Sequence, residues 1–246
     1  MRLKGKTALV TGATSGIGTA IAVAFAQEGA QVVITGRNAQ QGQAVVERIH
    51  AAAGSAQCIV ADLSSRQGID HLIHETSRAV QQVDILVNNA AIFPMAETPL
   101  VEEAVFDEVI ATNLKAPFFL TAAFAPRMAE RGMGKVINIT TTLAHRGFPK
   151  AALYGATKAA LTLMTKSWAV EFGPQGVNVN AIAPHLVITP GTAPASEFLE
   201  HLATTIPARR TGLPAETAAA AVYLASNEAD FIHGITLPVD GGYLAS

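Results

Sequence analysis

This sequence predicts an α/β fold, a doubly wound parallel sheet of about seven strands with helices on both faces. Three observations carry that expectation. Short apolar runs alternate with longer helical patterns along all 246 residues. The runs are continuously apolar, as in Ile85-Leu86-Val87, which suits strands buried on both sides. The first run also passes through a glycine-rich turn straight into the first helical pattern.

The elements follow in order. Thr7–Thr11 reads as the first strand. The turn Thr11-Gly12-Ala13-Thr14-Ser15-Gly16-Ile17-Gly18 then opens a helix over 16–28. Gly12 allows a tight bend, Gly16 lets the backbone approach a pyrophosphate, and Gly18 lets the helix pack close to the sheet. The helix start offers unpaired N–H groups and a partial positive charge to phosphates. The spacing, G-x-x-x-G-x-G, differs from the commoner G-x-G-x-x-G.

The second strand, Gln31–Thr35, ends at Gly36-Arg37. NAD-binding folds place Asp or Glu near this point to accept from the ribose hydroxyls. That acid is absent, and the Arg37 guanidinium suits a 2′-phosphate. NADP(H) is therefore the expected cofactor, ahead of NAD(H). Helix 39–53 and strand Gln57–Ala61 come next, with Asp62 and Leu63 expected beside the adenine. Helix 66–81, strand Val83–Asn88, helix 102–130, strand Lys135–Thr140, helix 152–172 and strand Val177–Ile182 continue the alternation. Five prolines between Pro184 and Pro214 interrupt any long helix, so 185–214 is expected to form a substrate loop or lid. Helix 215–226 and strand Ile235–Val239 complete the set. No linker or repeat divides the chain, and residues 1–246 read as one domain.

Composition narrows the function. Half of the residues are hydrophobic and 15% are charged, enough for a large core and for buried subunit contacts. Net charge is −2 without a Lys/Arg cluster, so neither nucleic acid nor an anionic membrane surface is an expected partner. Cys58 is the only cysteine, which excludes an intrachain disulfide and a cysteine-rich metal site. No HExxH pattern occurs, and no metal is expected. Ser167 lacks a nucleophile-elbow context. No signal peptide and no apolar stretch of about 18 residues is apparent, so a cytoplasmic protein is expected.

Tyr154 and Lys158 stand four apart in helix 152–172 and so share a face. A free phenol, with a pKa of about 10, is a weak acid-base catalyst at neutral pH. A fixed positive charge beside it favours phenolate and moves that pKa towards the working range.

Together these residues resemble the short-chain dehydrogenase/reductase family, whose fold is of the Rossmann type. The resemblance runs through the glycine turn, Asp62-Leu63, Asn88-Asn89-Ala90-Ala91, Asn113, Tyr154-x-x-x-Lys158, Pro184 through Thr189, and Asp240-Gly241-Gly242. It implies that Tyr154 exchanges a proton with a carbonyl or alcohol oxygen while Lys158 lowers the phenol pKa and holds the nicotinamide ribose. It implies that Asn113 helps to hold a water leading from Lys158 to solvent. Asn89 and Ala90 would border the cofactor, with Asn89 also bracing the central strands. Pro184, Val187 and Thr189 belong to the loop meeting the nicotinamide, Val187 and Thr189 at its carboxamide. A homotetramer with helices 102–130 and 152–172 at one interface is implied as well.

Two positions depart from the family pattern. Thr141 replaces the usual serine; it keeps the hydroxyl and adds a methyl that narrows the pocket. Thr140 and Thr142 are the rival hydroxyls, but on a strand they face away from Thr141. His185 stands where glycine is usual, and is a candidate pocket residue with Phe93 and His145; Arg146 and Phe148 are further candidates. The expected reaction is reduction of a ketone to a secondary alcohol. A 3-oxoacyl-carrier-protein reductase is the alternative, with Arg127 and Arg131 as candidate partner contacts and Val170 where such enzymes tend to have Arg. A non-catalytic NADP(H)-binding protein is the rival from another class.

Overall fold

The structure, a computed structural model, describes residues 1–246. Seven strands form one parallel sheet: β1 (Thr7–Thr11), β2 (Gln31–Gly36), β3 (Ser55–Val60), β4 (Ile85–Asn88), β5 (Gly134–Ile139), β6 (Val177–Pro184) and β7 (Thr236–Val239). Their spatial order is β3-β2-β1-β4-β5-β6-β7. The chain starts in the middle, winds outward to β3, then crosses back to β4. In open α/β sheets a crevice opens where the order reverses, outside the strand carboxyl ends. Here that place lies between β1 and β4.

The unbroken apolar runs are explained by two cores. Alternate side chains along a strand leave opposite faces. Ala8, Val10, Val32, Ile34, Ile85 and Val87 enter one core, while Leu9, Val33 and Leu86 enter the other. The first core is closed by α1 (Gly16–Gln27), α2 (Ala39–Ala51) and α8 (Pro214–Ala225), through residues such as Phe25, Ile49 and Val222. The second is closed by α3 (Arg66–Ala79), by a helix ending at Glu130, and by α6 (Ala152–Phe172), through Leu72, Phe124 and Leu161.

The expected helix 102–130 is not uniform. It comprises α4 (Glu103–Ile110), a π-helical turn Ala111–Lys115, and α5 (Ala116–Glu130). Pro117 supplies the reason. The α-helical partner for the Asn113 carbonyl would be the N–H of residue 117, and proline has none. The ladder widens locally, and the Ala116 N–H donates to the Ala111 carbonyl. Against the expectation of no membrane-length stretch, the run Glu103–Glu130 is long and apolar enough to span one by length and composition. Thr112, Asn113 and Lys115 interrupt its apolar runs in sequence. Its buried residues Leu120, Phe124 and Met128 pack into the second core. Within 185–214 the prolines leave room for one short helix, α7 (Ser196–Ala203).

One hydroxyl joins β1 to β4 at the crevice. Thr11 Oγ1 donates to the Val87 carbonyl (3.2 Å) and accepts from the N–H groups of Asn89 and Ala90 (3.0 Å each). Thr11→Val keeps the shape and strands three polar groups. It is expected to lower the unfolding free energy by about 1–3 kcal/mol in urea titration. An unchanged midpoint would show that these bonds carry no net stability.

Candidate active site

The glycine turn lies at the β1 side of the crevice. Gly12 and Gly16 hold φ of 61° and 57°, the left-handed region that strains any other residue. A Cβ on Gly12 would meet Ala90 Cα at 2.7 Å, and one on Gly18 would meet Asn89 Nδ2 at 2.5 Å. The turn is thus packed from beneath by the residues after β4. Asn89 Nδ2 donates to the carbonyls of Thr11 (2.9 Å) and Gly12 (3.0 Å), bracing the strands as expected. Ser15 caps α1 in position only, and its side chain does not bond the helix N–H groups. Thr14 leans over Gly36, where a Cβ would lie 2.6 Å from Thr14 Cγ2. Ile17 is half-buried behind the turn and packs on the first core.

Beyond β2 and β3 lies a cleft of about 450 Å³, lined among others by Arg37, Asp62, Ser65 and His71. The Ser64 backbone N–H (3.0 Å) holds the Asp62 carboxyl below the usual carboxylate range, and the Arg37 charge adds to this. Leu63 departs from expectation. Its side chain is buried in the second core and does not line the cleft, because alternation after β3 turns it inward. An uncapped helix start, a side-chain-free cradle and a guanidinium at the far end fit a dinucleotide phosphate chain.

At the opposite side, α6 carries Tyr154 and Lys158. Lys158 is 2% exposed, and Nζ donates to the Ile139 carbonyl at 2.8 Å. Burial brings its ammonium down to about 8. Nζ lies 6.0 Å from the centre of the Tyr154 ring. Burial also pushes the Tyr154 phenol up to about 12, with a hydrogen bond to Thr141 opposing it. In the protein alone the Lys158 ammonium is directed to the Ile139 carbonyl, and loss of hydration governs the phenol. The tyrosine as a residue is half-buried, and its ring meets Phe93 edge-on at 6.2 Å.

The three adjacent threonines separate by partner. Thr140 Oγ1 donates to the Ile182 carbonyl (3.0 Å), and Thr142 Oγ1 pairs with His185 Nδ1 (2.7 Å). Thr141 is the one that bears on the phenol; its hydroxyl also accepts from the Leu143 N–H at 3.3 Å. Asn113 is buried, and its amide is committed. Oδ1 accepts from the Ile92 N–H (2.9 Å), while Nδ2 donates to the Ile92 carbonyl (2.8 Å) and to Thr157 Oγ1 (3.3 Å). This side chain braces the loop after β4. Its backbone carbonyl lacks an α-helical donor, since residue 117 is proline.

The loop after β6 closes the far wall. Pro184 ends β6, Val187 is buried and bridges to Gly212, and Thr189 leans on the glycine turn, 3.2 Å from where a Gly16 Cβ would be. Phe93 reaches this loop too, 3.4 Å from a Cβ on Gly191. His185 stacks on Tyr243 at 3.8 Å between ring centres and 18° between planes. Arg146 lies over the same tyrosine at 5.0 Å. Burial drives the His185 imidazole down to about 4; Asp240 resists and Arg146 reinforces the shift. His145 is exposed. Tyr243 escaped the sequence reading, since nothing local pairs it with residue 185. Arg127 and Arg131 do not reach the crevice. They bond Ser77 Oγ and the Val83 carbonyl, the latter just before β4 begins, at the amino ends of the strands and so away from the crevice.

Lys158 also sets a pH dependence. Its folded pKa of about 8 is below the 10.5 of a free lysine, so the unfolded chain binds more protons between those values. Its burial cost is full below pH 8 and is relieved as pH rises through that window. Lys158→Met is expected to be more stable than the parent at pH 7, with the gap narrowing by about 1 kcal/mol at pH 9 in urea unfolding. A pH-independent gap would contradict a charged, buried lysine.

Comparison with known proteins fits this geometry. A family model described as enoyl-(acyl carrier protein) reductase matches residues 12–244. The 3-oxoacyl-[acyl-carrier-protein] reductase of Thermotoga maritima is 35% identical over 98% of this chain and 99% of its own. A solved chain described as a short chain dehydrogenase/reductase family protein is 45% identical, with a TM-score of 0.92 and full coverage of both chains. A chain from Beutenbergia cavernae, solved with NADP at low occupancy, is 39% identical over 99% of this chain and 98% of its own, with a TM-score of 0.94.

Proposed function

We propose, from the premise that this chain belongs to the short-chain dehydrogenase/reductase family of oxidoreductases, that it reduces a ketone to a secondary alcohol with NADP(H). The observation that carries the reading is the convergence of Thr141, Tyr154 and Lys158 across the crevice from a glycine turn with no room for a Cβ at Gly12 or Gly18. The nicotinamide supplies the hydride when bound.

The chain's own residues do the rest. Gly12, Gly16 and the α1 N-terminus bind phosphate, and Arg37 takes the 2′-phosphate. Tyr154 Oη gives its proton to the carbonyl oxygen as negative charge builds there, and Thr141 Oγ1 donates a second hydrogen bond. Lys158 Nζ, released from the Ile139 carbonyl, orients the ribose and brings the phenol pKa down from its value in the free protein. Phe93 and His185 bound the substrate space. Proton resupply runs past Lys158 to the Asn113 carbonyl.

Two features weigh against the carrier-protein alternative. Arg127 and Arg131 are tied down away from the crevice, Arg131 at the amino end of β4, and residue 170 is an exposed valine. The exposed Phe118, Leu163 and Val170 on α5 and α6 suit a covered face, in keeping with a homotetramer.

Tyr154→Phe is expected to cut kcat for ketone reduction at least about 100-fold, the scale of a lost general acid. NADPH affinity should stay within about twofold, since a single distal hydroxyl is removed. Turnover of a ketone panel with NADPH, beside calorimetric NADPH binding, checks both. Near-normal turnover would refute the phenol's role. Sedimentation at micromolar concentration should show an assembly larger than one chain, and a monomer would remove the covered face.

A further inference from the structure

We propose that Glu108 is a specificity-determining residue that limits the preference for NADP(H) over NAD(H) by competing for Arg37. The inference rests on the nicotinamide-cofactor reading above and goes beyond it, because it assigns a role to a carboxylate on α4.

Arg37 Nη1 stands 3.5 Å from Glu108 Oε1. The two side chains are 64% and 45% exposed, so the pair stays in water and is easily exchanged. Arg37 also acts on the Asp62 carboxyl across the same cleft. One guanidinium therefore faces two carboxylates, and His71 is the other basic side chain lining the cavity. Asp62 has an alternative partner in the Ser64 N–H. Glu108 makes no hydrogen bond through its carboxylate, so the ion pair is its one close polar contact.

The consequences differ for the two cofactors. A 2′-phosphate is a dianion placed where Arg37 would meet it. To gain the guanidinium fork it must draw Arg37 away from Glu108 and then remain near that carboxylate. A ribose with a free 2′-hydroxyl carries no such charge, and Glu108 does not repel it. Glu108 thus weakens NADP(H) binding selectively. Arg37 favours the phosphate, Glu108 opposes it, and the ratio of the two affinities is set between them. An arginine read from sequence alone promises more selectivity than this paired arginine delivers.

The test measures dissociation constants for NADPH and NADH by calorimetry at low ionic strength. Five proteins are compared: the parent, Glu108→Gln, Glu108→Lys, Arg37→Gln and the Glu108→Gln/Arg37→Gln double variant. Glu108→Gln is expected to tighten NADPH about two- to fivefold, the range of an exposed charge pair, and to leave NADH unchanged. Glu108→Lys should move NADPH further in the same direction. In the Arg37→Gln background the Glu108 effect on NADPH should shrink, since the competition has lost its object. Added salt, to about 0.5 M, should erase most of the gain. An unchanged or weakened NADPH constant in Glu108→Gln, or equal shifts for both cofactors, would overturn the role of Glu108. If the parent binds neither cofactor, the cofactor reading itself falls. If the parent binds both and only the Glu108 effect is missing, that reading stands and this inference fails.

Discussion

Everything at this site depends on how β1 and β4 are held together at their carboxyl ends. The strand order reverses between them, so two segments leave the sheet in opposite directions from adjacent strands. Without side-chain bonds the backbone groups exposed there would be unpaired. Thr11 Oγ1 and Asn89 Nδ2 supply five such bonds among Thr11, Gly12, Val87, Asn89 and Ala90. They fix the floor of the crevice. Gly12 and Gly18 are required because that floor comes too close for a Cβ.

Above this floor the protein keeps groups in states that cost stability. Lys158 is an ammonium with almost no exposure and one carbonyl for company, and Tyr154 is a phenol whose ionisation burial opposes. Neither arrangement stabilises a fold. Both become useful when a ligand brings polar groups that replace lost hydration. The π-helical turn at 111–115 is a third local irregularity beside the same residues: it follows from Pro117 and leaves Asn113 bracing Ile92. Such irregular turns within helices recur at functional sites.

The rim carries what is particular to this chain. His185 could not occupy a glycine's position without somewhere to put a ring, and Tyr243 and Thr142 provide it. The stack ties the loop after β6 to the last residues of the chain. Arg146 joins from the loop after β5. At the other end of the crevice, Arg37 is already engaged by Glu108. Substrate range and cofactor choice therefore rest on residues outside the motif positions.

Sequence by itself determined the seven strands, their parallel arrangement and the placing of Gly12, Gly18, Tyr154 and Lys158. It could do so because these signals are local: apolar period, turn chemistry, and a four-residue helical spacing. Asn89 was legible as a brace for the same reason, lying directly after a strand. Only the tertiary structure decided that Leu63 turns into the core, that Asn113 spends its amide on Ile92, and that the phenol is harder to ionise in the free protein than outside it. Those outcomes depend on which groups from distant segments share one dry volume, and on the hydration each loses there. The partners of His185 and Arg37 belong to the same class, because Tyr243 and Glu108 reach them through space with no pattern along the chain.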